Sequence, residues 1–146
     1  MTLILVALVA GLWLTPVFAQ PAGKAEKVLQ GTWVATAAAR DGGKADDVVG
    51  HRLSFAGPRF QIRARDGKLL YEGTFRANPA ARSASIDFDH VSGTLKGQAW
   101  KGIYALEEDT LRICDNAPDP TRTRPTRFGA KAGSRHVCIV FERTGS

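Results

Sequence analysis

Residues Arg59–Arg76 read RFQIRARDGKLLYEGTFR. Phe60 and Ile62 alternate with Arg59, Gln61, Arg63 and Arg65, and Tyr71 and Phe75 alternate with Glu72 and Arg76. A period of two marks a strand with one apolar and one wet face. Between the halves stands Asp66-Gly67, which supplies the positive backbone angles of a tight antiparallel turn. The stretch is therefore a β-hairpin, with strands Arg59–Arg65 and Lys68–Arg76, and the same pattern continues on both sides of it.

Toward the N-terminus lie Thr32–Arg40, turned at Asp41-Gly42-Gly43, and Gly50–Ala56, closed by Gly57-Pro58. Toward the C-terminus, beyond Asn78-Pro79, come Ser83–Asp89, Gln98–Leu106, Thr110–Asp115 after an acidic turn at 107–109, and His136–Arg143. Within these eight strands Trp33, Phe55, Phe60, Tyr71, Phe75, Phe88, Trp100, Tyr104 and Phe141 share the inward parity. Arg52, Asp87, Asp89, Lys101, Arg112 and Glu142 take the other. Connections are short up to the seventh strand, as a meander requires. The expected fold is all-β: an eight-stranded antiparallel up-and-down barrel over residues 31–146, since closing the sheet removes its two exposed edges. A two-sheet sandwich is the alternative that the same alternation serves. A short helix at Lys24–Gln30, within a linker over residues 20–30, is expected to turn Val28 and Leu29 inward.

The chain has 146 residues, enough for one domain, and a formal charge of +6 that sits wholly beyond residue 23. Residues 1–19 are apolar to Leu14, break at Pro16 and end in Val17-Phe18-Ala19, the pattern of a signal peptide cleaved after Ala19. No Lys or Arg precedes the apolar run, so an uncleaved anchor is the alternative. The expectation is export to the periplasm or beyond, with no stable membrane insertion after cleavage. Cys114 and Cys138 are the only cysteines and share the outward parity of the last two strands. In an exported chain they are expected to form one disulfide, the alternative being two buried free thiols.

His51, His90 and His136 stand at three strand ends without the close spacing of a metal site, and are expected to be exposed. Asp87 and Asp89, flanking Phe88, and the 107–109 turn read as solvated carboxylates. No G-x-S-x-G elbow, phosphate loop or Cys–His arrangement occurs, so the expectation is no enzyme, no metal and no cofactor. The aromatics point inward instead of forming an exposed stacking platform, which argues against nucleic acid. A cavity lined by Phe55, Tyr71, Phe75, Trp100 and Tyr104, with room from Ala35, Ala37, Gly73 and Gly102, would hold a small hydrophobic or amphipathic molecule. The rival is a filled barrel acting through its basic surface on a protein or an anionic envelope polymer. The loop before the last strand carries Arg122, Arg124, Arg127, Lys131 and Arg135. It would either cover the mouth and meet an anion or be pinned to the wall by Arg124 and Phe128.

Gly31-Thr32-Trp33 is echoed by Gly73-Thr74-Phe75 and Gly102-Ile103-Tyr104. A helix, then Gly-Thr-Trp, then a meander ending in a basic residue resembles the lipocalins. That resemblance implies that Gly31 lets the chain leave the helix and that Trp33 closes the barrel floor beneath Arg143. LQGTW, IDF, GIYALEEDTLRIC, RPTRF and AGSRHVCIVFER are together similar to a lipocalin-like bacterial domain of planctomycete-type proteomes. This implies a barrel and brings no assigned chemistry. Cys138 lies outside that family's pattern.

Overall fold

The computed structural model describes residues 23–145, so the expected signal peptide, residues 1–19, lies outside the described residues. In chain order the elements are α1 (Lys24–Leu29), β1 (Gly31–Arg40), β2 (Gly43–Lys44), β3 (Arg52–Ala56), β4 (Arg59–Arg63) and β5 (Leu69–Asn78). They continue with β6 (Ser85–His90), β7 (Ala99–Glu107), β8 (Thr110–Asp115) and β9 (Val137–Arg143). From β3 to β9 each strand pairs antiparallel with the next, β1 pairs with β3, and β9 returns to β1 with Trp33 opposite Arg143 and Arg40 opposite Val137. That last pairing closes eight strands into a barrel and rules out the sandwich. The two-residue β2 pairs antiparallel with the end of β1, Ala39 opposite Lys44 and Arg40 opposite Gly43, and takes no part in the closure.

One irregularity changes what faces inward. Ala35 stands opposite Phe141 but Ala37 stands opposite Val140, so Thr36 is an extra residue in β1. A bulge of this kind reverses the parity of everything after it. Ala38 and Arg40 therefore share the inward register of Ile139 and Val137, while Ala37 is exposed on the outside. The expectation that Ala37 gives room inside is wrong for this reason.

The lower half of the interior is packed solid. Phe55 and Phe75 lie 4.3 Å apart between ring centres, and Phe60 meets Phe88 edge-on at 5.0 Å. The inward glycines add no space. A Cβ on Gly73 would fall onto the Asp89 carbonyl oxygen, and one on Gly102 would come within 2.7 Å of the Cys114 carbonyl oxygen. These residues let neighbouring strands approach closely.

The floor is built from α1, the first strand and the last strand. Trp33 is fully buried and donates its indole N–H to the Leu29 carbonyl at 2.9 Å. The Arg143 guanidinium lies 4.1 Å over the Trp33 ring. It donates to the carbonyls of Gln30 at 2.7 Å and Val28 at 3.0 Å, and pairs with Asp109 at 3.2 Å. Gly31 has φ +113°, and a Cβ there would meet Arg143 Nη1 at 3.4 Å. Leu29 is buried but Val28 is half exposed, against expectation. Adjacent helical residues point about 100° apart, so a six-residue helix cannot bury both against one surface.

Cys114 and Cys138 face each other across β8 and β9 and form a disulfide, with Cα atoms 4.0 Å apart. The bridge joins residues 24 apart in sequence. In the chain-entropy picture, closing such a loop contributes about 3 kcal/mol. Thermal unfolding followed by circular dichroism should show a melting temperature lower by roughly 10 °C in reductant. Among the described residues no helix is long and apolar enough to cross a membrane.

Candidate functional site

The barrel is open at the end opposite the Trp33 floor, and there the packing stops short of the rim. A cavity of about 270 Å³ remains, walled by Leu53, Ile62, Tyr71, Trp100, Val137, Ile139 and Phe141, with Ala117 and Pro118 at one side. Arg40, Asp47 and His51 stand where it meets solvent. Of the five residues expected to line a cavity, the structure places Tyr71 and Trp100 on its wall. Phe55 and Phe75 are buried in the aromatic stack beneath it. Tyr104 is also buried away from the cavity, where burial, with the Glu26 carboxylate, pushes its hydroxyl pKa up.

Behind Trp100 sits His90, only 3% exposed. It continues the inward parity of Ile86 and Phe88, which is why the expectation of an exposed histidine fails. Its ring lies 4.2 Å from that of Trp100, 5.6 Å from Phe60 and 5.7 Å from Tyr71, centre to centre. Neither His90 ring nitrogen nor Trp100 Nε1 has a hydrogen-bond partner among the described residues. Burial pulls the His90 pKa down, so the ring favours the neutral form.

At the rim, Arg40 donates with both terminal nitrogens to the two Asp47 oxygens, at 3.2 and 3.0 Å. This fork holds the Asp47 carboxyl below its usual range. His51 nearby is pushed down by burial despite the Asp47 charge. Arg65 donates to the Val49 carbonyl at 2.6 Å and pins the turn that carries Asp47. The reading of the sequence missed Arg40 and Asp47. Strict alternation sends Arg40 outward, and only the bulge at Thr36 brings it to the cavity.

No model of a known protein family, no curated protein and no solved structure matches this chain.

The arginine-bearing segment 116–136 runs along the outside of the barrel, and at the cavity only Ala117 and Pro118 take part. Arg124 pairs with Asp87 at 2.7 Å and donates to the Gly102 carbonyl at 2.8 Å, fixing the segment to β6 and β7. Asp87 is thus half-buried in an ion pair, not the solvated carboxylate expected. Arg122 and Arg135 both approach Asp119, at 3.6 and 3.3 Å, and Arg127 is exposed. Phe128 lies under the Arg112 guanidinium, 5.1 Å away. Between Phe128–Ala130 and the disulfide an outer hollow of about 350 Å³ remains, but it is wider open than the cavity in the barrel.

Two buried polar residues stand where β8 passes into this segment, and the sequence reading passed over both. Asn116 accepts from the Lys101 N–H at 2.9 Å and donates to the Arg122 carbonyl at 2.8 Å. Asp115 points inward beside Gly102, accepts one bond from the Ala117 N–H at 2.8 Å, and is pushed by burial to a pKa of about 7. His136 meets the Thr123 carbonyl. Among the described residues no group of three His, Cys, Asp or Glu side chains could hold a metal ion.

Proposed function

We propose that this chain is an exported, non-catalytic binding protein of the lipocalin-like bacterial type. It holds one small hydrophobic or amphipathic molecule in the open-end cavity. The observation that carries this is the cavity itself: apolar walls, a solid aromatic floor beneath, and charged groups confined to the rim. Such an arrangement takes up an apolar body and leaves a polar end near water. At about 270 Å³ it lies just under the ~300–1,000 Å³ usual for drug-sized ligands, so the ligand is small. The disulfide supports export, because such bonds persist in oxidising compartments. The rim supplies an ion pair and a histidine, groups that can meet the polar end of a bound molecule.

Native mass spectrometry of the chain from Gln20 onward, exported to a periplasm and purified without detergent, tests this. The expected spectrum shows an adduct that leaves under denaturing conditions. Ile62→Trp, which pushes an indole into the cavity from a half-buried wall position, should weaken or abolish the adduct while keeping the melting transition. A bare wild-type chain would favour the filled barrel acting through its basic surface.

A further inference from the structure

We infer that Arg40 makes this cavity selective for organic monoanions, an apolar body ending in a single carboxylate. The inference rests on the cavity being the binding site. The bulge at Thr36 exists at a cost in regular pairing, and its effect is to turn Arg40 from the outer face to the mouth. Among the described residues Arg40 is the one permanent cation on the cavity wall, since His51 is held toward its neutral form.

Its present partner shows what fits there. Asp47 offers two carboxylate oxygens to the guanidinium fork in the two-point geometry that any carboxylate prefers. The Asp47 side chain is two-thirds exposed, on a turn. An ion pair so open to water is weak, so exchanging its carboxylate for another costs little. A ligand carboxylate tethered to a tail in the cavity would take the fork while Asp47 swings into solvent. Burial of the tail against Leu53, Ile62, Ile139 and Phe141 drives the exchange. At about 270 Å³ the cavity suits a short tail, and octanoate is a probe of that size class. The net charge of +6 draws anions toward the protein in the first place.

Titration calorimetry at pH 7.5 with sodium octanoate and with 1-octanol separates the possibilities. Octanoate is expected to bind at least about tenfold more tightly than octanol, from the charge-assisted hydrogen bonds it gains. Arg40→Gln should bring the two within about twofold, leaving octanol unchanged, because only the anion uses the fork. Asp47→Asn should tighten octanoate severalfold without affecting octanol, because it vacates the guanidinium; a purely structural pair would give the opposite sign. Equal binding of both probes to the wild type, or weaker octanoate binding in Asp47→Asn, overturns the selectivity and leaves the cavity as the binding site. Binding of neither probe overturns both. Should Arg40→Gln fail to fold, the sign of the Asp47→Asn effect decides alone.

Discussion

Trp33→Ala is expected to cost about 4 kcal/mol, the range for removing a large aromatic ring from a core that cannot collapse around the gap. The ring is fully buried beneath the Arg143 guanidinium and between the helix end and the first strand. Its loss also strands Arg143, whose remaining partners are two backbone carbonyls and one exposed carboxylate. Against a total stability of ~5–15 kcal/mol, such a loss leaves a marginal protein. Trp33→Phe keeps most of the volume but leaves the Leu29 carbonyl without its donor, so its cost should be about 1–2 kcal/mol. Denaturant titrations of the three proteins check the order. Equal costs for Ala and Phe would mean that the indole N–H, not the ring, holds the floor together.

The second large effect depends on pH. Asp115 is buried and accepts one hydrogen bond, and burial pushes its pKa up to about 7 from the ordinary carboxylate value of 3.8. In the unfolded chain the proton leaves near 3.8; in the folded chain it stays until about 7. Between those values the folded state binds more protons, so the contribution of this group is fully present below about 3.8 and is lost as pH rises through about 7. Asp115→Asn keeps an acceptor for the Ala117 N–H and cannot ionise. The variant should therefore be more stable than the wild type at pH 8, by a few kcal/mol, and nearly equal to it at pH 4. Guanidinium unfolding at the two values measures the difference. A gain that did not change with pH would show that the carboxyl is already stabilised when charged.

His90 works in the opposite direction. Its pKa is lowered by burial, so its contribution is present above about 6.5 and declines as pH falls from there toward the lower folded value. His90→Gln, which cannot be protonated in this range, should flatten the acid side of the stability profile. Chemical denaturation between pH 5 and 7 would show it. A steeper profile in the variant would exclude His90 as its source.

Much of this architecture is legible in the chain because the physics is local. Wherever a strand carries contrast, as in Phe60–Arg63 or Ser85–Phe88, a period of two identifies the buried face, and eight such segments with short turns leave few ways to hide their edges. The cysteines could be paired because their parity and the neighbouring strands already agreed. The run Ala37-Ala38-Ala39 has no contrast at all, so a one-residue slip there leaves no trace in the pattern. That hid the inward turn of Arg40, and with it half of the charged rim. Asp47 was invisible for the same reason, since its role exists only through Arg40. His90 and Asp115 were missed differently. Both keep the inward parity of their strands, but a titratable residue on that parity at a strand end is ordinarily solvated, and only the surrounding rings and the 116–136 segment decide otherwise.

The extra residue in β1 also separates the histories open to the two ends of the barrel. Below Thr36 the strand is phased by Trp33 and the floor; above it, by Arg40 and the mouth. Substitutions at the mouth need not disturb the register that seals the base, and the base can be strengthened without redirecting what the mouth presents. One unpaired residue thus acts as a joint between two parts of the strand whose registers are set independently.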